Sequence, residues 1–344
     1  MRQKQIKGLD LKELTEICTQ QDIPAFRAKQ IYQWMYRHHI NDISQMNNIP
    51  EDLRNYLKEN YILNTIKIEN IQESKYEDTK KILFKTKDHK LIESVSMIDK
   101  KLHTVCISSQ VGCAVDCKFC ATGMMGFKRN LTAGEIIDQI IEINKLRDKP
   151  ITNIVYMGMG EPFLNYNEVM KSADILHNHN GMNLGHNRIT ISTSGILPKI
   201  KQFIDEKRSY KLAISLNATD DKTRTKIIPI NKKWNIKMLI NELERYPVDK
   251  KNMIMLEYVL LKDINDSKKD AEKLSYYGNL LQCKINIIPF NDIDNEYKRP
   301  EENVINQFID ILYKNQKNYQ TLVRWSKGID IDAACGQLST NILS

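Results

Sequence analysis

Between residue 103 and residue 318 the chain alternates between two hydrophobic patterns, and this alternation restricts its fold more than any other feature. The segments "HTVCISS", "TNIVYMG", "RITIST", "KLAISL", "MIMLEYVLL" and "KINIIPF" are short, apolar and rich in β-branched residues, as strands are. Around them lie "TAGEIIDQIIEINKL", "NEVMKSADILHN", "IKMLINELERY", "KKDAEKLSYYGNLL" and "ENVINQFIDILYKN", with apolar residues at helical spacing. Six β/α units in series predict a parallel sheet covered by helices, since parallel strands need long crossovers. Right-handed crossovers curl such units into an incomplete barrel or spread them as an open doubly wound sheet.

The flanks differ in texture. Residues 1–60 predict a helical module from "LDLKELTEICTQ", "PAFRAKQIYQWMYRHH", with Pro24 in its first turn, and "IPEDLRNYLKEN". Residues 61–102 predict a β-ribbon extension, with "KKILFKTKD" and "KLIESVSMID" as strands leading into "LHTVCISSQV". Residues 319–344 form a C-terminal strand and loop. A composition of 41% hydrophobic and 27% charged residues over 344 positions suits a folded chain with a sizeable core. The formal net charge of +8 favours an anionic partner. It is not concentrated, because residues 1–60 set nine Lys/Arg against eight Asp/Glu. No apolar run approaches the ~20 residues that cross a bilayer, and "MRQKQIKGLDLKEL" lacks the apolar stretch of a signal peptide.

Seven cysteines, an odd number with three bunched together, read as metal-binding or catalytic rather than as a disulfide scaffold. "CAVDCKFC" sets Cys113, Cys117 and Cys120 in a C-x3-C-x2-C pattern in the loop after the first barrel strand. A structural zinc wants a fourth ligand, which His103 or Cys106 would have to supply. Three thiolates instead suit a 4Fe–4S cluster with one iron left open for a further ligand. Cys18 and Cys283 lie in apolar patterns and are expected to pack.

Five of the six strands are followed by small or polar residues, the first by the cysteine loop and the second, third, fourth and sixth by "GMGEP", "STSG", "SLNAT" and "PFN". Ligands of parallel β/α folds bind at the carboxyl ends of strands, so these residues outline one pocket. Glu161 can accept from an ammonium group, the hydroxyls of Ser192 and Ser215 and the amide of Asn217 suit ribose or carboxylate contacts, and Asn291 suits a base edge.

"CAVDCKFCATG" resembles the signature of the radical S-adenosylmethionine (SAM) enzymes, in which SAM chelates the open iron of the cluster. Further motifs, "CISSQVGC", "CATGMMGFKRNLTAGEI", "MGMGEPFLNY", "STSGILP", "PINKKWNI", "IPFN", "YKRP" and "DIDAACGQL", resemble the adenine-C2 RNA methyltransferases of the RlmN type, from near residue 80 to 338. The resemblance implies a partial (β/α)6 TIM-like barrel and, per chain, one 4Fe–4S cluster on Cys113, Cys117 and Cys120. It places SAM contacts on Gly160, Glu161, Ser192, Ser215, Leu216, Asn217 and Asn291, relatives commonly carrying His where this chain has Asn217.

It also gives the lone tail thiol a role. Cys335 is methylated by one SAM, and a second SAM yields the radical that takes hydrogen from that S-methyl group. The carbon radical adds to C2 of an adenine, a position that is not nucleophilic and does not attack SAM directly. Glu93 takes the C2 proton, and Cys106 releases the product through a transient disulfide with Cys335. Implied partners are 23S ribosomal RNA, transfer RNA and an external one-electron reductant of flavodoxin-like or equivalent kind, with no membrane, for a cytoplasmic monomer. The target adenine has to leave its stack. Two other readings stay open here: the C8-methylating Cfr type, and a zinc-stabilised RNA-binding module without catalysis.

Overall fold

The computed structural model describes residues 3–247 and 253–340. One ten-stranded sheet runs through it: β1 (Ile66–Glu73), β2 (Thr79–Thr86), β3 (Leu91–Asp99), β4 (Leu102–Cys106), β5 (Asn153–Tyr156), β6 (Ile189–Thr193), β7 (Lys211–Ser215), β8 (Met255–Leu260), β9 (Lys284–Pro289) and β10 (Gln320–Val323). Neighbours in the sheet are neighbours in sequence throughout. The strands β1 to β4 pair antiparallel, and β4 to β10 pair parallel.

That order decides between the two arrangements open from the sequence. A doubly wound sheet reverses its strand order at a switch point. Here the order never reverses, so successive right-handed crossovers carry the chain steadily round one axis, as in a barrel. Among the described residues β10 pairs only with β9, and the seven parallel strands leave a seam between β10 and β4. The fold is a partial barrel, extended past β4 by an antiparallel ribbon.

The strands form because their inward and outward faces are both covered. Ile154, Ile191, Leu212, Ile214, Leu256 and Ile285 are fully buried in the main core. The helix Ala133–Lys145 starts at a reciprocal cap, in which the Thr132 hydroxyl accepts from Glu135 N and the Glu135 carboxylate accepts from Thr132 N. Arg129 grips that carboxylate and Asp88 together, which ties the "FKRNLTAGEI" segment to the ribbon.

The helical module consists of Leu11–Gln20, Phe26–Tyr36 and Glu51–Asn60. Ile31 and Met35 are core, and Trp34 packs beside them. Pro24 precedes the second helix instead of standing in its first turn, and its carbonyl accepts from Arg27 N. The module's apolar cluster takes in Ile137, Ile141 and Ile175 from two barrel helices. A buried Lys7–Asp138 ion pair at 2.6 Å crosses the same junction, and Asp138 also accepts from Thr65. Cys18 and Cys283 are fully buried, as their apolar surroundings predict.

Candidate active site

Cys113, Cys117 and Cys120 sit in a loop held at its base by a short antiparallel pair, Gln110–Gly112 with Phe127–Asn130. The crossing is tight: a Cβ on Gly112, at φ +73°, would stand 1.8 Å from the Gly126 carbonyl. Val115 and Phe119 anchor the loop in a small apolar cluster with Ile227, Ile228, Leu261 and Phe290. The aromatic residue before the last cysteine is thus an anchor, with Cys113 and Cys117 packed against the same cluster and Phe119 itself forming part of the cavity wall.

All three thiols line a cavity of about 160 Å³ at the carboxyl ends of the strands, with Gly160, Glu161, Ser192, Ser215, Asn217 and Cys335. Burial pushes the Cys113 thiol up to about 12, and burial with neighbouring thiols raises Cys117 and Cys120 as well. Half-buried thiols with raised values of this kind are deprotonated when a cationic group binds in place of the protons. Among the described residues no three Cys, His, Asp or Glu converge on one point as ligands of a single ion do. Three thiols lining one cavity suit a cluster that takes one thiolate at each of three irons, while a tetrahedral zinc would want a fourth ligand.

The strand-end residues form a mutually bonded collar. Glu161 accepts from Phe163 N through one oxygen and from Ser194 N and Oγ through the other, at 2.7–2.9 Å, which locks "GMGEP" to "STSG". Gly160, at φ +99°, lies against Gln110, whose amide oxygen accepts from Glu161 N. Asn217 adopts φ +54°, a left-handed conformation that Asn and His both tolerate better than most residues. Its Oδ1 accepts from Val259 N at 2.8 Å, which uses the oxygen and not the nitrogen of the amide. Leu216 does not reach the cavity. Its side chain is core, its N–H is bonded to Glu257 O, and its carbonyl accepts from Arg224. Asn291 donates to the Cys335 carbonyl at 3.1 Å, while its buried Oδ1 has no partner.

Cys335 and Gly336 line this cavity and also a second chamber of about 260 Å³. Cys106, at the end of β4, lines the second chamber only. That chamber lies along the seam, between β3 and β4 on one side and residues 324–327 after β10 on the other. The tail loop is pinned beside the three-cysteine loop, with Ala121 N donating to Gly336 O at 2.7 Å and Thr122 Oγ1 to Leu338 O at 2.6 Å. Burial, and next the neighbouring Cys335, push the Cys106 thiol up to about 12.

Glu93 lines neither chamber. Its carboxylate is buried behind the tail, accepts from Ser339 N at 3.0 Å and faces Lys81 at 3.5 Å. Burial raises it to about 7 against the opposing pull of Lys81 and Ser339. A strand-borne Glu ordinarily faces solvent, but register puts this one under the tail.

Three groups of the site escaped the sequence reading. Arg324 stands where the chambers meet, and the thiols of Cys335 and Cys106 and the Glu257 carboxylate all act on its charge. Glu257, a lone acid in the apolar "MLEYVL", projects into the first cavity with one oxygen on Asn286 and the other unpartnered. Its signal was visible, since an acid inside so apolar a strand has to face something. Arg224 is fully buried and donates to the carbonyls of Ser194, Ser215 and Leu216 and to Asn231, stapling two strand ends together. It explains the "PINKKW" motif, whose Asn231 is its partner.

Residues 107–274 match the model of the radical SAM superfamily, and residues 4–63 match that of the ribosomal RNA large subunit methyltransferase N-terminal domain. The dual-specificity RNA methyltransferase RlmN of Helicobacter hepaticus is 41% identical over 99% of this chain and 95% of its own length. The chain belongs to the RlmN family of radical SAM RNA methyltransferases. The RlmN of Nautilia profundicola is 43% identical over 92% of each chain. Among solved structures, a radical SAM methyltransferase from Sphaerobacter thermophilus superposes with a TM-score of 0.91 at 41% identity, over 97% of this chain and 98% of that one. Membership of the RlmN family implies a 4Fe–4S cluster and SAM, and the thiol-lined cavity is where such groups fit. No helix among the described residues is long and apolar enough to cross a membrane.

Proposed function

We propose that this chain methylates C2 of an adenine in 23S ribosomal RNA and in transfer RNA, in two half-reactions that pass through the sulfur of Cys335. The observation that carries the reading is the position of that sulfur. It lies on the boundary of two chambers, one lined by the three clustered thiols and the other by Cys106. One 4Fe–4S cluster on Cys113, Cys117 and Cys120 and two SAM molecules per turnover complete the scheme. Bound together in the first cavity, these groups supply a methyl cation equivalent in one half-reaction and a one-electron cleavage of SAM in the other.

The chain's own residues do the rest. Gly160, Glu161, Ser192, Ser215 and Asn217 shape and hold the cofactor cavity, and the unpaired Oδ1 of Asn291 offers an acceptor beside it. Cys335 carries the one-carbon unit on its sulfur, so that carbon bonds to the adenine while sulfur still holds it. Glu93, poised near 7, takes the proton lost from C2 once the tail uncovers it, and the unpaired electron that radical addition leaves on the adduct would return to the oxidised cluster held by the three thiolates. Cys106 then attacks the Cys335 sulfur. An S–S bond forms, the S–C bond breaks, its electron pair stays on the former methylene, and that carbon takes a proton to become the methyl group. The external one-electron reductant supplies the electrons, including those that reopen the disulfide. The names of the RlmN relatives support two kinds of RNA substrate, the matched N-terminal domain supports ribosomal RNA as one of them, and transfer RNA as the other follows from the family resemblance.

The test is Cys106→Ala assayed anaerobically with a 23S fragment. The expected result is a covalent protein–RNA adduct at Cys335 that builds up instead of turning over. Digestion and mass spectrometry of wild-type product should place the methyl on C2. A methyl on C8 would assign the chain to the other chemistry, and free product from Cys106→Ala at the wild-type rate would remove the resolving thiol from the scheme.

A further inference from the structure

The second chamber opens to solvent at a group of side chains that neither the cofactor cavity nor the thiols account for. Trp325 and Leu102 line it with 51% and 44% of their area exposed. The other two tryptophans of the chain pack into apolar clusters, Trp34 in the helical module and Trp234 against the barrel. Trp325 packs into neither. Its ring lies 5.4 Å from the Arg299 guanidinium, which has no carboxylate within ion-pair distance among the described residues. Lys327, two positions on, bridges the seam to Asp99 at 3.1 Å, and Lys100 and Lys149 act on the same carboxylate. The mouth therefore sets Lys327 against Asp99, with Lys100 and Lys149 close enough to act on the same acid, beside an aromatic ring held by an arginine that has no ion-pair partner among the described residues.

We propose that Trp325 is the platform of a stacking subsite for the RNA base adjacent to the target adenine. The inference rests on the functional reading above. An adenine drawn into the second chamber leaves its stack, and the base beside it loses a partner face. An aromatic ring at the chamber mouth replaces that face whichever base is there, because every base has a π-surface. Arg299 fixes the ring and adds a cation, and the surplus lysines answer the flanking phosphates. Leu102 supplies the apolar floor against which the displaced strand bends. A purely structural tryptophan would have been placed inward, like the other two.

The experiment uses the intact protein and RNA hairpins carrying the target adenine, each intact or abasic at one nucleotide on either side of it. Binding is read by fluorescence anisotropy and methylation by single turnover, for wild type, Trp325→Ala and Trp325→Phe. Trp325→Ala should weaken binding of the intact hairpin by about ten- to a hundredfold, with Trp325→Phe within about threefold of wild type. One of the two abasic hairpins should bind wild type as weakly as the intact hairpin binds Trp325→Ala, and should lose nothing further with that variant. Iron content and the far-UV spectrum of Trp325→Ala check its folding. If it misfolds, quenching present in wild type and missing in Trp325→Phe should occur with the intact hairpin and vanish with that abasic one. The subsite is overturned if Trp325→Ala binds like wild type, if both abasic sites cost it as much as they cost wild type, or if the quenching ignores the abasic site. Tryptophan-dependent binding by a wild-type protein that yields no methylated adenine would leave the subsite standing and sink the functional reading instead.

Discussion

Glu93→Gln isolates the electrostatic cost of the buried carboxyl, with a sign that can be worked out in advance. Burial holds this carboxyl at about 7 against an ordinary value of 4.5. Below about pH 4.5 it is protonated in both the folded and the unfolded chain, and glutamine imitates it closely. Between there and about 7 the folded chain keeps a proton that the unfolded chain has released, so the wild type loses stability as pH rises through that window. Moving a carboxyl that far corresponds to about 3 kcal/mol. The variant has nothing to titrate. Its stability should therefore match the wild type near pH 4.5 and exceed it by up to about 3 kcal/mol at pH 8. Urea unfolding of both proteins at pH 4.5, 6 and 8, with equal cluster loading, measures the gap. A gap that stays flat would mean that Glu93 is not buried as described. A gap of opposite sign would mean that Lys81, at 3.5 Å, outweighs desolvation and holds the carboxyl ionised. In either case its fitness as a proton acceptor near neutrality would be lost.

Arg224→Met removes a buried cation that four acceptors depend on, and should cost at least about 3 kcal/mol, read as a lower melting temperature with weaker SAM binding by calorimetry. Gly160→Ala puts a Cβ 2.5 Å from that of Gln110 at a left-handed position, so SAM affinity should fall by at least about tenfold in equilibrium dialysis. Retained affinity would show that the collar yields.

Much of the architecture was legible because strand and helix periods differ so plainly. All six strands read from "HTVCISS" to "KINIIPF" are present, and the five long amphipathic helices are where the spacing put them. The misses have physical reasons. Asp221–Ile227 is a helix of seven residues with Ile227 as its one apolar side chain, and Leu197–Asp205 has Pro198 in its first turn close behind "STSG", so its start reads as part of that turn. β1, "IKIENIQE", is an edge strand with only one neighbour and mostly polar side chains, so it lacks the apolar run that marks a core strand. The three thiols at close spacing announced themselves from local sequence. Glu93 was reached through the resemblance alone and Glu257 only as an acid out of place in an apolar strand, while Arg224 and Arg324 gave no sign, because their meaning lies in register and in what the fold brings opposite them. Arg224 in "DKTRTKI" reads as a solvated helix face, and only the closing of two strand ends around it turns it into a staple.

The uninterrupted strand order has a consequence for how such a chain comes into being on the ribosome. Cys106 and Cys335 line one chamber because the first and last parallel strands border the same seam, so the pair is completed only once the chain has passed β10. A nascent or prematurely terminated chain that stops soon after β10 already holds every thiol of the three-cysteine loop and most of the collar. It has no sulfur to receive what that centre produces. On the function proposed above, such a fragment would spend cofactor on nothing, which makes the integrity of the segment after β10 a matter of economy for the cell as much as of catalysis.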